Sequence, residues 1–177
     1  GLGAPLGIDL LRGAIPYLGD MPGGLFVLGS GRGARAAPRA AAAAADPDRV
    51  YFHDGYDLAL AHRIFAGSDL FAMPSRFEPC GLAQMQAMRY GSIPVVTPVG
   101  GLVDTVIDAD AAPRKGNGFV AQSVDVVGIV DALHRAVRAF RNSRRRTAIQ
   151  RRGMQHDWSW EGPAQQHIEL YKEVSEA

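Results

Sequence analysis

The chain has 177 residues, is 47% hydrophobic and is almost neutral, with 19 Lys and Arg against 18 Asp and Glu for a net charge of +1. That length suits one domain with a sizeable core, and the balanced charge excludes a general pull towards nucleic acid or acidic membranes. A single cysteine excludes an internal disulfide and a cysteine-rich zinc site, and the apolar runs fall well short of the ~20 residues a membrane span requires. The expectation is a soluble protein of a reducing compartment. No secretory signal opens the chain, and a start at Gly1 instead of an initiator Met predicts a piece of a longer protein.

Residues 23–33, GGLFVLGSGRG, read as an apolar strand from Leu25 to Leu28 entering a glycine turn, the form of a buried parallel strand and its loop. Residues 34–49 are alanine-rich and predict a helix interrupted at Pro38, with no function attached. RVYFHDGY gives a second strand. DLALAHRIFAGS follows as an amphipathic helix with Leu58, Ala61, Ile64 and Phe65 on one side, and DLFAMPS is a third strand. GLAQMQAMRYG predicts a helix, IPVVTP a strand and GGLVDTVID a short helix, with longer helices over 123–142 and 163–175. The breaker-rich loop 108–118 ends in Gly116, Asn117 and Gly118, which read as a tight turn. Arg141, Arg144, Arg145, Arg146, Arg151 and Arg152 read as a solvated helix face. Strands regularly separated by helices predict a single α/β domain over 1–177, with a parallel sheet, a helical tail over 154–177 and ligands at the carboxyl ends of the strands.

Chemistry concentrates in residues 75–91, SRFEPCGLAQMQAMRYG. A helix starting here would leave the N–H groups of Gly81, Leu82 and Ala83 without internal partners, able to hold a phosphate, with Gly81 allowing close approach. Glu78, just ahead, would accept hydrogen bonds from the hydroxyls of a sugar carried on that phosphate. The spacing Ser75-x-x-Glu78 fits a capping box equally well, with Pro79 as an early-turn residue. Cys80 reads as a small packed residue, since no base adjoins it in sequence.

The string PSRFEPCGL, continued by Gln84, AMRYG, IPVV and GGL, resembles the carboxyl-terminal half of bacterial glycogen synthases and plant or algal starch synthases. GIDLLRGAIPYL, VLGSG, GYDLALAHRIFAGSDLFAMPS, NGF and DWSWEGPAQQHIELYKEV extend the likeness over most of the chain, and AMRYGSIPVV looks closest to the soluble plastid enzymes. The resemblance implies a Rossmann-like domain, one half of a GT-B fold, whose parent moves glucose from ADP-glucose to the non-reducing end of an α-1,4-glucan with retention. It implies no metal and no cofactor beyond the donor substrate, no nucleic-acid or membrane partner, and the protein's own amino-terminal GT-B domain as partner. The first Rossmann strand would lie upstream of Gly1. The setting would be the plastid stroma in a plant or alga and the cytoplasm in a bacterium. By the family pattern Glu78 contacts the donor glucose and Cys80, Gly81, Leu82 and Ala83 receive glucose and diphosphate. Tyr56 would stack near the adenine, and Gly29, Ser30 and Gly31 would border the base. Read without the family, Tyr56 is an ordinary aromatic and GSG a plain turn, and His62 stays structural.

The chain also departs from that pattern. Gly1 stands where the family carries arginine and Leu6 where it carries lysine, and loss of such a preorganised charge costs about 3–4 kcal/mol of transition-state stabilisation. Val99 and Ala83 each replace a family threonine. A degenerate scaffold or nucleotide-sugar sensor is therefore a second reading. A GT-B transferase of another specificity is a third, weakened by Gln86 where such families place a second acid.

Overall fold

The computed structural model describes residues 6–19, 21–29 and 48–175. In chain order it contains α1 (Ile8–Ala14), a 3-10 turn (Ile15–Leu18), β1 (Leu25–Gly29), β2 (Val50–Asp54), α2 (Leu58–Gly67), β3 (Leu70–Met73) and α3 (Ala83–Arg89). There follow β4 (Ile93–Val96), α4 (Gly101–Thr105), β5 (Phe119–Val120), α5 (Val126–Arg141), α6 (Ser143–Gln155) and α7 (Glu161–Ser175). Every described strand pair is parallel, as the alternation predicts. The strands form two ladders in place of one sheet: β1–β2, and β3–β4–β5 in that order.

β4 is buried on both faces because helices cover both. Ile93 and Val95 point into a cluster with Phe119, Ile129, Leu133, Ala136 and Ile149, under α5 and α6. Val96 joins Met88, Leu102 and Val106 on the other face, under α3 and α4. Asp57 caps α2, accepting from the Leu60 N–H at 2.9 Å, and Phe65 buries against Phe71 with ring centroids 5.2 Å apart. Leu58, placed on the apolar side by its spacing, is exposed, because α2 lies at the edge of the packed layer. Asp125 caps α5, and Asn142 ends it while capping α6 with its own side chain. α7 buries no side chain.

Three sequence expectations change, and a fourth lies almost entirely outside the described residues. α1 and β5 were not foreseen, and the alanine-rich helix expected over 34–49 falls outside the described residues except for Asp48 and Arg49, which form a turn. Asn117 and Gly118 are not a tight turn: Asn117 hydrogen-bonds the Thr105 carbonyl and the Ile107 N–H, and Gly118 bridges Asp108. The arginine run is only partly solvated. Arg145 bonds the Asp110 carboxylate, and Arg152 donates to the Gly116 carbonyl at 2.6 Å. Among the described residues no helix is long and apolar enough to cross a membrane.

Arg135 ties the 108–110 turn to α5. Its guanidinium reaches Asp108 at 2.9 Å, Asp110 at 3.0 Å, Asp131 at 2.8 Å and the Val120 carbonyl at 2.7 Å. Burial pushes the Asp108 carboxyl up, but the Val120 N–H and Arg135 outweigh it, leaving a value below the ordinary 3.8. Asp110 is likewise lowered by Arg145 and Arg135 against its own burial. Because both folded values lie below the unfolded ones, their stabilisation is complete above about pH 4 and is lost as pH falls through the folded values. Arg135→Met is expected to cost about 2–4 kcal/mol at pH 7 and to flatten the fall in stability between about pH 4 and 2. Urea unfolding at pH 7, 4 and 3 checks this, and an unchanged slope would refute it.

Candidate functional site

Parallel strands bring their carboxyl ends to one edge of each ladder, and the site residues follow from that. After β3, Pro74 and Ser75 are buried, and the Ser75 carbonyl accepts from the buried Thr97 hydroxyl beyond β4. Arg76 then bonds Asp9 at 2.6 Å, and that hydrogen bond holds the Asp9 carboxyl below its usual range. Gly7, at φ +64°, leads into α1 so close to the Pro74 carbonyl that any side chain would collide with it. Leu6 directly precedes the residue that meets Pro74.

Glu78 is half-buried, and its carboxylate makes no hydrogen bond or ion pair with a described residue. Its backbone carbonyl accepts from the Gly101 N–H at 3.2 Å. The capping-box alternative fails, because α3 begins at Ala83 and its cap position, Leu82, makes no side-chain cap. Glu78 is thus left outside the helix and available to a ligand. The expected start at Gly81 also moves later, and a seven-residue α3 makes only about two turns. What the segment offers an anion is chiefly its unpaired N–H groups: those of Gly81, Leu82 and Ala83 have no acceptor among the described residues.

Gly81 is required for a reason other than ligand approach. At φ +75° it adopts a conformation that favours glycine, and a Cβ there would stand 2.6 Å from the Gln84 carboxamide oxygen. Cys80 is exposed and not the packed residue the sequence suggests; its Sγ–H donates to the Gly81 carbonyl at 3.8 Å.

Sequence reasoning passed over the opposing wall. Gly100, at φ +47°, lies against the Glu78 carbonyl, and Gly101 against Cys80, each too near to admit a Cβ. The paired glycines between β4 and a short helix were the available signal. Val99 packs against the apolar cluster of Met88, Val96, Leu102 and Val106.

The remaining positions are placed less closely. Tyr56 is 88% exposed just beyond the carboxyl end of β2, and Gly29 ends β1 beside it, paired with Asp54. Ser30, Gly31 and Gly1 lie outside the described residues. His62 bonds the Tyr90 hydroxyl at 3.0 Å, a structural position. A cavity of about 350 Å³ lined by Gly24, Phe26, Arg49 and Tyr51 sits at the amino ends of β1 and β2, the end away from Tyr56. Among the described residues no group of three or more His, Cys, Asp or Glu is placed to hold a metal ion.

Comparison with known proteins places the chain in a family. The family described as "Glycosyl transferases group 1" matches residues 4–139. A glycogen synthase of Halorhodospira halophila is 46% identical over 95% of this chain and 35% of its own length. One from Anaeromyxobacter sp. (strain K) is 46% identical over 96% of this chain and 35% of its own. The chain thus spans about a third of the length of the curated relatives it matches. Among solved structures, the catalytic domain of starch synthase IV from Arabidopsis thaliana, bound to ADP and acarbose, superposes with a TM-score of 0.86 at 36% identity, over 99% of this chain and 37% of that one. With three-quarters of its residues inside the family match and its parallel strands and helices superposing on a GT-B enzyme, the chain belongs to the glycosyl transferases group 1 family.

Proposed function

We propose that this chain is the donor-binding half of a starch or glycogen synthase, which transfers glucose from ADP-glucose to the non-reducing end of an α-1,4-glucan with retention of configuration. The observation that carries the reading is Glu78, a carboxylate just ahead of three amides at a strand's carboxyl end, all four without a partner among the described residues. In this reading Glu78 grips the donor glucose, and the backbone of Cys80, Gly81, Leu82 and Ala83 receives glucose and diphosphate. Tyr56 stacks near the adenine, while Gly29, Ser30 and Gly31 border the base. The acceptor glucan enters through a second, amino-terminal GT-B lobe of the parent protein. The ladders β1–β2 and β3–β4–β5 become one sheet when the parent's first Rossmann strand joins them. The bacterial relatives favour a bacterial cytoplasm over a plastid.

One observation favours a second reading, a scaffold or nucleotide-sugar sensor without transfer. Leu6, next to the Gly7 contact with Pro74, is apolar where the family resemblance places the lysine that neutralises the departing diphosphate. Calorimetry of this chain with ADP separates binding from its loss. A half-site is expected to bind in the millimolar range, where 1 mM corresponds to about 4 kcal/mol. Absence of heat at saturating ADP would remove the donor-binding claim.

A further inference from the structure

Gln84 is completely buried, which is unusual for a carboxamide and calls for a reason. Its Nε2 donates to the Gly81 carbonyl at 2.7 Å and approaches the Cys80 carbonyl at 3.2 Å and the Thr105 hydroxyl at 3.0 Å. The Thr105 hydroxyl donates to the Gly101 carbonyl at 2.8 Å, and the Gly101 N–H donates to the Glu78 backbone carbonyl. A ring of hydrogen bonds thereby joins both walls of the site. The amide orientation follows from chemistry, since two of the three neighbours are carbonyls that only accept; a flipped Gln84 would face them with its oxygen. The oxygen, in its place, is buried with no partner among the described residues. A group kept at that cost serves something besides packing.

The geometry points to Gln84 as a positioning residue that aims the Gly81 and Leu82 amides at the phosphates of a nucleoside diphosphate. In a planar trans peptide the C=O and the following N–H point in opposite directions. By drawing the Cys80 and Gly81 carbonyls inward, Gln84 turns the N–H groups of Gly81 and Leu82 outward, where they have no acceptor among the described residues. Gly81 permits this because its missing Cβ leaves room for the carboxamide. The inference rests on the reading of residues 80–83 as a diphosphate cradle and deepens it. Gln84 itself touches no ligand.

The test is a pair of NMR titrations of the full chain, with ADP and with adenosine, which lacks the phosphates. The unsubstituted chain should prefer ADP by about tenfold or more, with the Gly81 and Leu82 amide resonances shifting only with ADP. Gln84→Met should keep adenosine affinity within about twofold while the ADP preference falls to about threefold or less. Gln84→Glu keeps the shape but replaces donors with acceptors, and should lose the preference as fully. Thr105→Val, which removes one anchor of the carboxamide, should lower it partially and serves if neither Gln84 variant folds. Full ADP preference in any folded variant overturns the role of Gln84 and leaves the cradle standing. No ADP preference in the unsubstituted chain overturns the cradle itself, and the inference with it.

Discussion

Glu78→Gln in the full-length parent protein is expected to lower the rate of glucose transfer by about a hundredfold to a thousandfold, or roughly 3–4 kcal/mol of transition-state stabilisation. ADP affinity should stay within about twofold. The two readouts separate because, in the proposed reading, Glu78 meets the sugar while the amides that follow it meet the diphosphate. Among the described residues the Glu78 side chain has no competing partner, while its backbone is held by Gly101. The substitution keeps size and shape, so the loop should not move, and only the negative charge is removed. Charge matters most where the anomeric carbon becomes electron-poor as its bond to the diphosphate breaks. Steady-state rates with ADP-glucose and glycogen, set beside calorimetry with ADP, supply the comparison. An unchanged rate would take Glu78 out of the mechanism.

Gly100→Ala should lose about 3–5 kcal/mol of stability and, in whatever remains folded, ADP binding as well. Two costs add. A residue with a Cβ is strained at φ +47°, and the Cβ would collide with the Glu78 carbonyl oxygen. Relief requires the 78–81 loop to retreat, which breaks the Gly101 to Glu78 hydrogen bond and loosens the amides behind it. Gly162→Ala is the control, because that glycine lies in exposed α7 with nothing within 4 Å of the added carbon. There the change should be neutral or stabilising by up to about 1 kcal/mol, from helix propensity alone. Chemical denaturation of the two variants decides the matter. Equal stabilities would mean that the two walls of the site are not in contact.

How far each element could be read in the sequence follows from what holds it. β1 to β4, α2, α3 and α5 carry their own apolar period or run, and they stand where the residues predict within a few positions. α1 has only seven residues, and Leu10, Leu11 and Ala14 make it a helix by packing, not by length. β5 is two residues long, a strand only because Phe119 and Val120 meet Val95 and Val96. α6 is mostly polar and buries just Ile149 and Gly153, so its arginines dominate the pattern and obscure its contacts with Asp110 and Gly116. A stretch of charge looks the same whether it is solvated or bonded to a carbonyl 36 residues away.

From its residue order alone this protein was determined to be an α/β chain of parallel strands, with Glu78 and the 80–83 segment at the end of one of them and a family likeness carried by the same residues. Tertiary structure decided what that segment is. It removed the capping box, moved the start of α3 to Ala83, set Gly100 and Gly101 against residues 78–80, and buried Gln84 beneath both walls. The physical reason is range. Periodicity and caps act over three or four neighbouring residues and can be read locally, whereas a loop's peptide orientation is set by backbone contacts between segments some twenty residues apart, which only the folded chain brings together.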